Sequence, residues 1–230
     1  TKEELRESLA NFVNGDNKIL ELARCYKQEV DTGWDVPPGV LHAPGTLCTY
    51  EPQFASDVFA MYQSVLFGDH TVPIDLLWKD TPKEKVGDYD HLVKVVDWDL
   101  NTDPDFHKHR FMRPKPVRDM AEMKKAGYVE EWICYKCKLA SAKRLTVLPG
   151  QTVVIKDAAP YGFIMLEGHG AINGFPIESP TQIRFGELTY DEYFVSAHAA
   201  AKGVTIRNAS KADPIVMLKH FAENPDLVIE

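Results

Sequence analysis

From residue 131 to the end of the 230-residue chain, short apolar stretches recur with turn signals between them, and this rhythm limits the fold more than any other feature. Stretches 132–137, 143–147, 151–155, 163–166, 193–195, 204–207 and 215–220 alternate or run apolar over strand-like lengths. Pro149-Gly150, Gly168 to Gly170, Asn173-Gly174 and Gly186 punctuate them. Such spacing predicts a β-sandwich or barrel.

The first third of the chain reads differently. Thr1 with Glu4 forms a capping box, and Leu5, Leu9, Phe12 and Val13 recur at helical spacing. Asn14-Gly15 ends that helix, and Asp16 can cap a second one with Ile19, Leu20, Ala23 and Tyr26 on its buried stripe. Strand-like texture begins at Gly33 and continues through 47–53 and 58–65. Segment 92–96 is a further strand candidate. Segment 99–116, with three prolines and little periodicity, reads as a connector, and 116–125 as a short helix ended by Gly127.

Composition narrows the function classes. A net charge of −8 and a pI near 5.5 oppose a nucleic-acid surface, which needs clustered Lys and Arg. No apolar run is long enough to span a bilayer. Four cysteines make no disulfide scaffold, so reduced thiols and a cytoplasmic location are expected.

The segment richest in chemistry is Pro37-Pro38-Gly39-Val40-Leu41-His42. Its Pro and Gly dictate a tight turn, after which His42 enters a strand with its imidazole free to bind Zn²⁺ or a similar divalent metal. The plainer alternative is a turn histidine packed on a barrel rim. After Pro44-Gly45, period two places Leu47, Thr49 and Glu51 on one strand face, so Glu51 can share a cavity with His42 as ligand, base or substrate anchor. It can equally be a plain hairpin carboxylate. Ser56 and Asp57 read as a turn with local backbone bonds.

Pro-x-Gly-x-x-His resembles the second conserved motif of the cupin superfamily. The wider run Val36 to Ala43, then Glu51-Pro52-Gln53 and Ser56-Asp57, resembles the metal-site segment of class I mannose-6-phosphate isomerases. The opening helix and the Asn14-Gly15-Asp16 break resemble the helical insert of that family, so the match covers residues 1 to about 65. Beyond residue 143 the likeness to the family's second cupin domain is one of pattern only.

The resemblance implies an all-β protein of tandem cupin-like β-barrels of the jelly-roll type with a small helical insert. Residues 1–98 would be the insert and remaining half of the metal-site domain, 99–128 a connector, and 129–230 a second, metal-free cupin-like domain. It implies His42 as a ligand of a divalent metal, zinc by the family's habit, and Glu51 as an active-site residue near that metal. The other ligands, a Gln-x-His pair and a Glu, are expected upstream of Thr1. The implied reaction interconverts aldose and ketose phosphates such as mannose 6-phosphate. Related readings are a metal cupin acting on another sugar, or a carbohydrate-binding cupin without catalysis. Met61 stands where the family carries an Arg, which favours the first of these two. The partners expected are a sugar or sugar phosphate and, in assembly, a homodimer.

Other candidates have plain readings. Cys134 and Cys137 form a lone C-x-x-C that period two puts on opposite faces. His107 and His109 suit a solvated linker, and His169 a hairpin turn. His198 sits where a second barrel would carry its own decayed motif. Arg184 and Lys219 could bind phosphate, but isolated basic residues are usually surface pairs.

Overall fold

The computed structural model describes residues 1–53, 58–137, 140–180, 186 and 188–222. The chain divides into two compact units. Unit 1 comprises Thr1–Gln28, Val36–Thr49 and Gln53–Phe106, and unit 2 comprises Glu29–Asp35, Tyr50–Pro52 and His107–Glu230.

The elements run in order α1 (Lys2–Ala10), β1 (Gly33–Trp34), β2 (Val65–Leu66), β3 (His70–Thr71), α2 (Ile74–Leu77), α3 (Tyr89–Lys94), α4 (Trp98–Asn101) and α5 (Phe106–Arg110). Then come β4 (Phe111–Met112), β5 (Lys115–Pro116), α6 (Met120–Lys125), β6 (Tyr128–Cys134), β7 (Ser141–Val147), β8 (Thr152–Ile155) and β9 (Tyr161–Glu167). The last are β10 (His169–Ile172), β11 (Phe175–Glu178), β12 (Glu192–Val195), α7 (Ala197–Lys202), β13 (Val204–Asn208) and β14 (Ile215–Phe221).

Unit 2 carries the β-rich fold. Strands β12-β9-β14-β7-β6-β5 form one antiparallel sheet and β11-β10-β13-β8 another. From β7 to β14 the eight strands distribute between the sheets as β7-β14-β9-β12 and β8-β13-β10-β11. This is the strand order of a jelly roll, one form of the sandwich that the spacing of turns predicts. Alternation along each strand fills the space between the sheets. Leu145 and Val147 of β7, Tyr161, Phe163 and Met165 of β9, Val204 and Ile206 of β13, and Ile215, Met217 and Phe221 of β14 join one buried core.

Gly170 and Gly162 lie at close approaches between strands. A Cβ on Gly170 would fall within 1.9 Å of the Arg207 carbonyl oxygen, where β10 meets β13. A Cβ on Gly162 would fall within 2.2 Å of His220 Nε2, on the outer face of β9 beside β14. A larger residue at Gly170 would force the strands apart, and one at Gly162 would push the His220 ring aside.

In unit 1 the described residues form short helices and the two-stranded pair β2–β3. The capping box at Thr1 is present: Glu4 N–H donates to Thr1 Oγ1, and the Thr1 ammonium donates to Glu4 Oε2. Leu5, Leu9 and Phe12 pack with Tyr62, Val72, Leu77, Leu92, Val93 and Val96.

Several expectations from periodicity are corrected here. Segment 92–96 is not a strand: residues 89–94 are helix α3, because Asp88 caps the backbone N–H of His91 and Leu92 and Val93 face the core together. The helix expected from Asp16 shrinks to a 3-10 turn at Ile19–Leu22, since Lys18 adopts a left-handed conformation that starts the turn late. Val13 is exposed. Residues 47–53 form no strand, and the connector 99–116 contains α5, β4 and β5. The helix before Gly127 is α6, capped by Asp119.

Candidate functional site

The turn expected at Pro37-Pro38-Gly39 is present in unit 1. Val40 N–H donates to the Pro37 carbonyl at 3.2 Å, and Gly39 takes φ +81°. A Cβ on Gly39 would stand 3.0 Å from the Asp97 nitrogen, so space and conformation both select glycine. Asn101 fastens the turn. Its Oδ1 accepts from Leu41 N–H at 2.9 Å, and its Nδ2 donates to the Gly39 carbonyl at 2.8 Å. Asp97 N–H adds a bond to the same carbonyl at 3.0 Å.

His42 follows this clamp. It lies in an irregular, exposed segment rather than in a strand pointing into a barrel, which corrects its expected placement. The cause is local: the backbone here bonds to α4 and its cap instead of to a neighbouring strand. Its Nδ1 lies 2.9 Å from the Val40 carbonyl oxygen. A carbonyl only accepts, so Nδ1–H donates in this contact, and in the neutral imidazole the lone pair is then on Nε2. This is how protein scaffolds commonly orient a metal-binding imidazole.

Glu51 is exposed, in an irregular stretch of unit 2, so the shared strand face expected for Leu47, Thr49 and Glu51 does not exist. His42 and Glu51 fall in different units. Ser56, Asp57 and Arg184 lie outside the described residues. Met61 packs against the unit 1 core.

A second cluster, on the inner face of the jelly roll, was missed as a site by the sequence reading. Lys219 of β14 is completely buried rather than a surface residue. Period two places it between Met217 and Phe221, which face the core. Its Nζ donates to Glu130 Oε1 of β6 at 2.6 Å and to Asp157 Oδ2, just beyond β8, at 2.5 Å. Lys143 of β7 donates to Asp157 Oδ1 at 2.7 Å. Aromatic rings enclose the ammonium groups: Lys143 Nζ is 4.5 Å from the centroid of Trp132, and Lys219 Nζ 4.7 Å from that of Tyr161.

Burial alone would raise the pKa of Asp157. The ammonium groups of Lys219 and Lys143 outweigh it and hold the carboxyl below its ordinary range. Burial likewise would lower Lys219, but Glu130 and Asp157 prevail and raise it. The network sets two lysines against two carboxyl groups within hydrogen-bond distance. The signal was present in the sequence: Glu130, Lys143 and Lys219 each break an apolar run at a core-facing position of alternation.

The remaining candidates stay apart. Burial, with the nearby Cys137 and Asp35, pushes the Cys134 thiol up to about 11, so it is neither a thiolate nucleophile nor a ready metal ligand near neutrality. His107 and His109 lie on α5, not in an unstructured linker, and the His107 ring stacks on Phe111 at 4.6 Å. His169 opens β10 opposite Glu178, and His198 is exposed on α7.

A divalent metal is implied by the resemblance at His42. The imidazole suits one ligand position, but no group of three His, Cys, Asp or Glu that could hold an ion occurs among the described residues. The described donors do not make up a binding set by themselves. No helix in the described residues is long and apolar enough to cross a membrane.

No protein-family model matches the chain, and no curated protein does. Among solved structures it is similar to an RmlC-like cupin from Ralstonia eutropha, with a TM-score of 0.33 and 8% identity over 47% of this chain and 62% of that one. The match thus spans less than two thirds of the Ralstonia protein. An RmlC-like cupin from Shewanella frigidimarina matches with a TM-score of 0.33 and 12% identity over 50% of this chain and 88% of the other. Ectoine synthase from P. lautus matches with a TM-score of 0.32 and 15% identity over 47% and 78%. The jelly-roll assignment rests on the strand order given above, and these likenesses add no argument about chemistry.

Proposed function

We propose that this cupin-fold chain serves an aldose–ketose isomerase of the mannose-6-phosphate isomerase type, with a sugar phosphate as substrate. In this reading His42 is one ligand of a divalent metal, zinc by resemblance. Glu51 is the carboxylate that contacts metal or substrate. The observation that carries the reading is the 2.9 Å contact of His42 Nδ1 with the Val40 carbonyl on a clamped turn, which leaves Nε2 as the ring nitrogen able to bind a metal. A metal, when bound, would polarise the substrate's carbonyl oxygen. The chain's own part is to fix the imidazole through Asn101 and Asp97.

The test joins metal content to turnover. Freshly purified protein should hold about one divalent metal per chain by plasma mass spectrometry. It should interconvert mannose 6-phosphate and fructose 6-phosphate, and His42→Ala should lose the metal. Metal content unchanged in that variant would remove the ligand assignment. Metal-bearing protein inert on this sugar pair but active on another would redirect the reading to a different sugar.

A second reading is a carbohydrate-binding protein without catalysis. The locked Lys219–Asp157–Lys143 network favours it for unit 2, because every charge there is already paired. Purified protein without metal above background, yet retaining a sugar, would select it.

A further inference from the structure

One end of the jelly roll holds polar groups that the network does not satisfy. Ser141 opens β7, Tyr161 opens β9, Val195 closes β12 and Phe221 closes β14. Phe221 pairs with Ser141 and Val195 with Tyr161, so the four stand in one row at the strand ends. Asp157 lies two residues beyond the end of β8. The cluster thus occupies the mouth of the sandwich, where β-barrels commonly take ligands.

In that row Tyr161 Oη and Ser141 Oγ are buried, and neither has a hydrogen-bond partner among the described residues. Both residues are 1% exposed. Two desolvated hydroxyls without acceptors are a standing free-energy cost that a bound molecule would remove. Burial pushes the Tyr161 phenol up to about 12, so it stays protonated and able to donate. Beside the hydroxyls, Phe221 lies 5.3 Å from the Tyr161 ring and 6.2 Å from Trp132, which supplies apolar ring faces.

Charge decides the class of ligand. Lys143 and Lys219 are matched by Asp157 and Glu130 within hydrogen-bond distance. An anion would have to displace a carboxylate, and a cation an ammonium group. A neutral molecule meets no such penalty and finds two donors and ring faces.

We propose that this mouth binds a small neutral molecule bearing several hydroxyl or carbonyl oxygens, with Tyr161 Oη and Ser141 Oγ donating to it beside the Lys143–Asp157–Lys219–Glu130 network. The site belongs to unit 2 and does not depend on His42.

The experiment is isothermal titration of the full chain with D-mannose and with myo-inositol, in EDTA so that no metal contributes, while Trp fluorescence is recorded. Mannose 6-phosphate is the anionic counterpart. Saturable binding of a neutral probe with a change in Trp emission is expected. Tyr161→Phe keeps the ring and should weaken that binding about tenfold or more. Ser141→Ala should weaken it by a smaller factor with an unchanged far- and near-ultraviolet circular dichroism spectrum. No saturable binding of either neutral probe would mean that an ordered water only satisfies the hydroxyls, and overturns the proposal. So would mannose 6-phosphate binding tenfold tighter than mannose and weakened alike by Tyr161→Phe, which would place the anion at this mouth, or both variants binding as the parent does. Should Tyr161→Phe not fold, Ser141→Ala alone decides.

Discussion

The clamped turn at Pro37–His42 and the inner face of the six-stranded sheet both organise polar side chains, by opposite means. The turn uses neighbours in sequence and a few backbone bonds to α4, and leaves its imidazole in solvent. The sheet gathers Glu130, Lys143, Asp157 and Lys219 from positions up to 89 residues apart and removes them from water. Polar groups held in solvent contribute reactivity with little bearing on stability. Polar groups held in the core bear on stability first, because any unpaired member carries its full desolvation cost.

The largest effect should therefore come from breaking the buried network. Lys219→Met leaves Glu130 without its cation inside the sandwich, and unfolding of the variant in urea should show a loss of about 3–5 kcal/mol. Adding Glu130→Gln to that variant should recover part of the loss, since it removes the uncompensated carboxylate. A Lys219→Met protein as stable as the parent, or no recovery in the double variant, would show that packing rather than charge pairing matters there.

Acid should produce a smaller loss from the same network. Asp157 is depressed in the folded state, so its stabilisation is complete above the unfolded carboxylate value near 4 and disappears as pH falls through its lower folded value. Lys219 is raised, so its contribution is complete below the unfolded lysine value and is lost only as pH climbs through the higher folded value. Urea midpoints measured against pH should hold level between these limits and fall on the acid side. In Lys219→Met the acid fall should flatten, because Asp157 loses one of the two cations that depress it. An acid limb of unchanged depth would assign that limb to other carboxylates.

The same contrast explains what could be read from residues alone. A Pro-x-Gly turn is local chemistry, and residues 37–40 adopt it as the sequence implies. That the chain's second half is a β-sandwich or barrel was legible because turn signals and alternation repeat from β6 to β14. The network was not, although each member breaks its strand's apolar face, because period two shows that a charge points inward without showing which distant strand supplies its partner. Residues 92–96 mislead for a related reason. Leu92, Val93 and Val96 suit a strand by composition, and only the Asp88 cap, with His91 three residues on, marks the helix. His42 was read in the right turn but on the wrong continuation, since a strand after the turn needs a pairing partner and α4 takes the backbone bonds instead.

Loosening the clamp should cost less than breaking the network. Asn101→Ala removes the bonds to Leu41 N–H and the Gly39 carbonyl, and Gly39→Ala adds strain at φ +81° with a Cβ near Asp97. Each should lower stability by about 1–2 kcal/mol in denaturant unfolding. A neutral Asn101→Ala would mean that the turn is held by its own Pro and Gly, and that His42 needs no support from α4.

The smallest stability effect should belong to the residue with the most specific proposed chemistry. His42 is exposed, and its hydrogen bond to the Val40 carbonyl spans only two residues. His42→Ala should therefore shift unfolding in EDTA by less than about 0.5 kcal/mol, as surface substitutions usually do. Without EDTA, metal added to the parent should raise its melting temperature and leave the variant unmoved, because a ligand stabilises only the state that binds it. A variant that melts as early as Lys219→Met would place His42 among the structural residues. One that still gains stability from metal would move the ligand elsewhere. Neutrality in EDTA with the metal response lost is the outcome that separates a surface ligand from a packed turn histidine.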